Sequence, residues 1–512
     1  MNRQVEWVKQ GFDICAHDSD FSEEEKVNLF HELEAQYSRF TEMECKSIRD
    51  IINTSLDERD RIYIYSYFMF YMKQEDFEEE ALEAILQMDF DFCIGSMLEI
   101  QITRMVSRCY AQKRRLHKKN MDGFMKVLNL DHPYIPVEKR NRKRVVIMTE
   151  QILSVLHAPT KLVLNTAYVL QERLGYEVMI FACPCDGGVP EELWYRPTRM
   201  NSMDLFRNGA MRLAYRDTIF KGYQMNLHPF NLKEYQLMFD LIHAWNPLFV
   251  FGMAIVNPII ELCTTFTTLV MRAGSTGCPV SEAEILIRLA RQSEEQEADY
   301  LKVINEKQRQ LFIEEKAPVV VEKSQNQYCR SEVGLPEEKF LIAIVGNRLD
   351  DEIDMEFVLL MQKIIQKAPN VAFVIIGEVE KIKKDFESDI FENHIFYLGY
   401  CADLVGIYGI LDLYMNPKRM GGGYSSVMAL AAGVPVVSLP KCDVAGHVGT
   451  QFIVKDYCEM EETVYRYVNE PEFYKEKQHC TQVTMEENSE EKMVQYVQNM
   501  MNDITELIME KR

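Results

Sequence analysis

Residues 412–449 read DLYMNPKRMGGGYSSVMALAAGVPVVSLPKCDVAGHVG, and the order of residue types in this stretch decides the fold. A short apolar run, Leu413 to Asn416, predicts a strand. Gly421, Gly422 and Gly423 follow, then a helical pattern from Tyr424, a second strand over Val434 to Leu439, and a further loop. Glycines at a strand-to-helix turn tolerate positive φ and let a ligand approach the backbone closely. Ser425 and Ser426 fall in the first helical turn, where unpaired amides and the positive dipole end favour an anion. Such a cradle suits a phosphate and, between strand and helix, a nucleotide. The alternative is a structural tight turn with capping serines.

Outward from this stretch the same periodicity continues. Upstream, Lys339 to Gly346 reads as a strand, Glu352 to Lys367 as a helix, Val371 to Gly377 and Ile395 to Tyr400 as strands, and Ala402 to Gly409 as a helix. An earlier series begins at Arg144: a buried strand over 145–148, a loop with His157 and Pro159, a helix from Leu162 to Arg173 closed by Gly175, and a strand from Tyr176. This is a β-α-β unit of parallel-sheet type. Helix over 232–244, strand over 248–253, a short helix from Asn257 and strand over 267–271 continue it. Ser281 with Glu284 predicts a capped helix opening at Ala283, and the charged run 292–310 predicts a long solvated helix. Residues 1 to about 140 carry helical spacing, with Ser22 and Glu25 as a capping box, and residues 461–512 predict two or three further helices. The expected boundaries are 1–142 for a helical domain, 143–330 and 331–480 for two Rossmann-like domains, and 481–512 for a C-terminal helix packing back.

The 512 residues carry 79 acidic and 57 basic side chains, a formal charge of -22 that disfavours a general nucleic-acid binder. Two basic clusters, 104–120 and 138–144, fit either an acidic lipid surface or polyanion, or a solvated helix face and linker. The first residues lack the apolar core of a secretory signal, and the aromatic run 63–72 is too short to span a bilayer and reads as core. The thirteen cysteines lack paired spacing; Cys183 and Cys185 are close but have no matching zinc ligands. Reduced thiols in a cytoplasmic protein, free or peripheral at the inner face of a membrane, are the expectation.

Gly346-Asn347-Arg348 after one strand, Ile376-Gly377 after the next, Tyr397-Leu-Gly-Tyr400, then Asn416-Pro-x-Arg419-x-Gly-Gly-Gly and Ala432-Gly-Val-Pro-Val-Val437 together resemble the donor half of a GT-B nucleotide-sugar glycosyltransferase. The resemblance covers roughly 144–480. The preceding helical domain is similar, more loosely, to bacterial cytosolic N-glycosyltransferases and O-GlcNAc transferases. It implies an α/β fold of two Rossmann-like domains facing a cleft (GT-B), preceded by an α-helical N-terminal domain.

The same resemblance implies a nucleotide-sugar donor, UDP-linked, as substrate, with no separate cofactor. Gly421 to Gly423, Ser425 and Ser426 would face the diphosphate, joined by Arg419. Arg348 would offset its charge as the nucleotide leaves, or else pair with Asp350 or Asp351 at the surface. The base would lie near Gly399 to Cys401, beside Tyr400. Asp443 and His447 would reach donor sugar or phosphate, or else be a turn carboxylate and a packed imidazole. His157, on the loop after the first strand, would remove the acceptor proton in an inverting reaction, or else cap the Pro159 turn. Two departures stand out. Met420 and Met428 occupy the places of paired glutamates in many retaining members, and Leu-Asp-Asp follows Arg348 without the lysine common there.

No metal is expected, since no Asp-x-Asp element stands out in a suitable loop; Asp89 and Asp91 have that spacing but lie in the helical region. The reading is a metal-independent hexosyl- or N-acetylhexosaminyltransferase acting on a glycan, lipid-linked or protein acceptor, with partner or membrane contact through the N-terminal region. A sugar-nucleotide epimerase and a non-catalytic GT-B subunit stabilising a partner transferase remain alternatives.

Overall fold

The computed structural model describes residues 2–72, 74–106, 108–153, 157–184, 189–197, 208–227, 230–254, 257–273, 279–289, 291, 293–419 and 421–510. Cys185 and Met420 lie outside these residues. The chain divides into two compact units, Met1–Glu315 with Met500–Arg512, and Lys316–Asn499.

The first unit opens with seven α-helices among the described residues, from Arg3–Ala16 to Tyr110–Leu128. Their starts are written locally. Ser22 and Glu25 form the expected capping box, Thr41 and Glu44 form a second, and Asp91 caps Phe92–Met105 by accepting from the Cys93 amide. In the aromatic run Tyr65, Tyr67 and Phe68 are fully buried, whereas Phe70 is half exposed. Much of the positive charge of both basic clusters is used internally. Lys113 donates to Val106 O, Lys119 to Met88 O, Arg114 pairs with Glu282, Arg140 holds Leu248 O and Arg144 pairs with Glu177.

An eight-stranded sheet follows: β1 (Asn141–Thr149), β2 (Glu177–Ala182), β3 (Gly209–Tyr215), β4 (Thr218–Gln224), β5 (Pro247–Ala254), β6 (Leu269–Ala273), β7 (Ile285–Arg288) and β8 (Arg309–Phe312), in the order β3-β4-β2-β1-β5-β6-β7-β8. All pairs are parallel except the β3–β4 hairpin at one edge. Val145–Thr149 are buried throughout, as a central strand covered on both faces requires. One continuous apolar core runs from Trp7 through the helices to Leu286 and Tyr300.

Two expectations are corrected here. β7 occupies the place where Ser281 and Glu284 predict a helix. Ser281 donates to Glu261 at 2.7 Å and Glu284 accepts from Thr268 and Tyr134, so neither side chain closes a cap. The Ile-Leu-Ile run is buried between β6 and β8, and that pairing overrides the local signal. Among the described residues of the charged run beyond it, one short helix, Glu294–Leu301, precedes β8, which begins at Arg309.

The second unit contains a five-stranded, fully parallel sheet: β9 (Phe340–Val345), β10 (Val371–Ile376), β11 (Ile395–Gly399), β12 (Leu413–Met415) and β13 (Val436–Val437), ordered β11-β10-β9-β12-β13. Alternate residues of β9 serve different faces. Ile342 and Ile344 join a core with the helices Met355–Lys367 and Tyr457–Asn469; Leu341, Ala343 and Val345 join another with Leu404–Tyr408 and Gly423–Ala431. The chain leaves β9 toward β10 on one side and later enters β12 on the other. The loops after β9 and β12 therefore diverge at the strands' carboxyl ends, where open α/β sheets leave a crevice. Among the described residues, no helix in either unit is long and apolar enough to cross a membrane.

Candidate functional site

The crevice beside β9 and β12 gathers most of the residues singled out from the sequence. Its floor is a clasp. Asn416, fully buried after β12, accepts from the Arg419 Nε at 2.8 Å and from the Tyr414 hydroxyl at 3.1 Å, while its amide nitrogen donates to Ser438 Oγ. Arg419 Nη2 donates to Val345 O at 2.6 Å, the last carbonyl of β9, and Nη1 pairs with Glu352 at 2.6 Å. With a side chain 4% exposed and all three nitrogens engaged, Arg419 lies beneath the glycine loop and ties β12 to β9.

Gly422 sits directly over this clasp with φ 97°, as the N-cap of helix Gly423–Ala431. A Cβ there would lie 2.6 Å from Asn416 Oδ1 and 2.9 Å from both Arg419 Nη2 and the Tyr414 hydroxyl, so the position excludes side chains on two grounds. Gly377, φ 136°, is constrained in the same way: its Cβ would collide with the carbonyl oxygen of Gly346. The serine hydroxyls of the helix turn back on the chain. Ser426 is buried and donates to Gly423 O at 2.7 Å, and Ser425 donates to Gly422 O at 3.0 Å. The first amides of the helix, which have no carbonyl a turn earlier, are what the loop offers an anion.

Arg348 stands at the mouth, 71% exposed, and its Nη2 is 2.9 Å from Glu352 Oε1. Its partner is thus Glu352 rather than Asp350 or Asp351. Asp350 accepts from the amides of Glu380, Lys381 and Ile382, and Asp351 faces Lys381. Glu352 therefore holds two guanidinium groups, one buried and one exposed, and is a site residue that no sequence motif marks. Its spacing of four from Arg348 on one helical turn was the available signal.

Asp443 and His447 bracket the short turn Val444–Gly446 and face the glycine loop; a Cβ on Gly423 would lie 3.0 Å from Asp443 Cβ and 3.2 Å from His447 Cδ2. Burial pushes the Asp443 carboxyl up, against the pull of Lys316 and Arg348. Burial, then the Lys316 ammonium, hold His447 down at about 4, so the imidazole is neutral at ordinary pH. Tyr400, just past β11, is 56% exposed. Met428 is buried in the core and brings no carboxylate to the crevice.

His157 belongs to the first unit, at the N-terminal boundary of helix Ala158–Tyr168. It makes no capping bond to the backbone; its Nδ1 is 2.9 Å from Thr160 Oγ1, which also accepts from the Leu153 amide. In the tautomer that donates from Nδ1, Nε2 keeps a lone pair. Burial lowers its pKa and keeps the ring neutral.

Several solved structures resemble the chain. One, described as trehalose-6-phosphate from E. coli bound with UDP-2-fluoro glucose, is 10% identical with a TM-score of 0.46 over 71% of this chain and 99% of its own. A mutant Thermobaculum terrenum O-GlcNAc transferase is 10% identical with a TM-score of 0.46 over 99% of this chain and 98% of its own. A UDP-forming alpha,alpha-trehalose-phosphate synthase from Burkholderia vietnamiensis is 9% identical, with a TM-score of 0.47 over 72% and 98%. These values are too low to transfer any residue's role. No curated protein matches the chain significantly. Residues 339–470, the span holding Arg348, Glu352, the glycine loop, Asp443 and His447, match the family described as Glycosyl transferases group 1.

Proposed function

We propose that the chain is a GT-B glycosyltransferase that moves a sugar from a nucleoside diphosphate, UDP-linked, to a glycan, lipid-linked or protein acceptor in the cytoplasm. The observation that carries this reading is a coincidence. The family match at 339–470 falls on the diverging loops of a parallel sheet, with a glycine cradle and an exposed guanidinium at their mouth. In this reading the amides of the glycine loop hold the diphosphate and Arg348 stabilises the charge that develops as it leaves, without a metal. Tyr400 lies by the base, and Asp443 and His447 by the donor sugar. His157, neutral at pH 7, is the base for the acceptor hydroxyl.

The test is incubation of the purified chain with hexose and N-acetylhexosamine nucleotides, following hydrolysis and transfer. Turnover of at least one donor is expected, with a loss of about 100-fold in Arg348→Ala. Absence of binding, hydrolysis and transfer for every donor would refute it. A second reading, a non-catalytic subunit that stabilises a partner transferase, is favoured by Met428, whose burial leaves no acidic group at that helix position. Activity only in complex with another chain would select it.

A further inference from the structure

The charges around the glycine loop balance too closely for a diphosphate site. Arg419 is internal and Arg348 is paired, and both share the carboxylate of Glu352. Asp443 adds a second carboxylate across the loop. Two guanidiniums against two carboxylates leave no net positive charge, yet a nucleoside diphosphate brings two or more negative ones. Loop amides supply partial charges only.

Lys316 breaks the balance. It is the first residue of the second unit and lies outside the segment matched by the family. Its ammonium rests on the Gly446 backbone, in the space a Cβ would occupy, on the turn that Asp443 and His447 bracket. Among the described residues it forms no ion pair, although both Asp443 and His447 feel its charge. The Asp443 carboxylate feels this charge but makes no direct ion pair with it, so the ammonium, held against a bare glycine on the turn facing the phosphate cradle, is open to an anion.

We propose that Lys316 is a further binding residue of this site, its ammonium contacting the diphosphate of the bound nucleotide opposite Arg348. The inference rests on the donor reading above. Gly446 belongs to it, because any side chain there displaces the ammonium without removing its charge from the chain.

The test is calorimetric titration of the full chain with UDP and with uridine. Lys316→Met is expected to weaken UDP about 10-fold, the loss of one charge-assisted contact in a partly exposed place, while uridine binding stays as in the wild type. Gly446→Ala keeps the lysine and fills its seat, and is expected to weaken UDP in the same direction. UDP affinity within about two-fold of wild type in both variants, with Arg348→Ala weakened, would overturn the role of Lys316 and leave the donor reading standing. A wild-type chain that binds none of UDP, ADP and GDP would overturn both.

Discussion

Replacing Glu352 by glutamine separates the two arginines by consequence. The carboxylate meets Arg419 at 2.6 Å with side-chain exposures of 13% and 4%, so water screens the pair weakly. Breaking a buried pair costs about 3–5 kcal/mol, and the lower end applies because Arg419 keeps Val345 O, Asn416 Oδ1 and the Tyr414 hydroxyl. We therefore expect Glu352→Gln to destabilise the second unit by about 3 kcal/mol. Arg348, 71% exposed, contributes an ion pair worth at most about 1 kcal/mol, so Arg348→Ala should be close to neutral for stability. A chain of two compact units need not unfold in one step, so the appropriate readout is native-state hydrogen exchange at the amides of β9 and β12. If Glu352→Gln costs less than about 1 kcal/mol, or no more than Arg348→Ala, then Arg419 does not depend on that carboxylate and the clasp is misread.

Two further predictions concern pH. His447 is depressed from 6.5 to about 4, so between those values the unfolded chain binds more protons. Stability of the second unit should be full above about pH 6.5 and fall by roughly 3 kcal/mol as pH drops through 4, a slope that His447→Gln should remove in acid denaturation. In the first unit, burial would depress His117, but the Glu99 carboxylate at 2.6 Å, with Glu261 and Glu282 beyond it, reverses this and lifts it to about 9. That stability is present below pH 6.5 and lost as pH rises through 9, again about 3 kcal/mol, and His117→Gln should flatten the alkaline limb of a denaturation series.

The glycine cradle could be read from sequence because its conformation is encoded locally: only a residue without Cβ fits at Gly422, and the strand and helix on either side have distinct periods. The β-α-β order was legible for the same reason. The strand at Ile285–Arg288 was not, because a capping pattern is a short-range signal, whereas a four-residue parallel strand exists only through its neighbours β6 and β8. The site divides along the same line. Arg348 and Arg419 are equivalent as letters; which one faces water depends on where Val345, Asn416 and Glu352 come together. Ser426 satisfies the pattern of a phosphate ligand, yet its hydroxyl is buried on Gly423 O. Lys316 is remote in sequence from every motif, and only the fold brings it to Gly446.

The clasp also bears on what the cradle can do. An anion site stabilises a leaving group most when its dipoles are already aimed and need no reorganisation as charge develops. Here Arg419 spends its charge on rigidity: through Val345 O and Asn416 it joins the ends of the two strands that part at the crevice, and Gly422 is pressed against it from above. The loop amides are thus held from below by a cation whose side chain is 4% exposed. Charge and rigidity are assigned to different arginines, and Glu352 couples them, since it restrains Arg348 while anchoring Arg419. A ligand carrying its own negative charge competes with Glu352 for Arg348 alone, because Arg419 has no free nitrogen to give. The exposed arginine can therefore move to the ligand without loosening the floor it stands on.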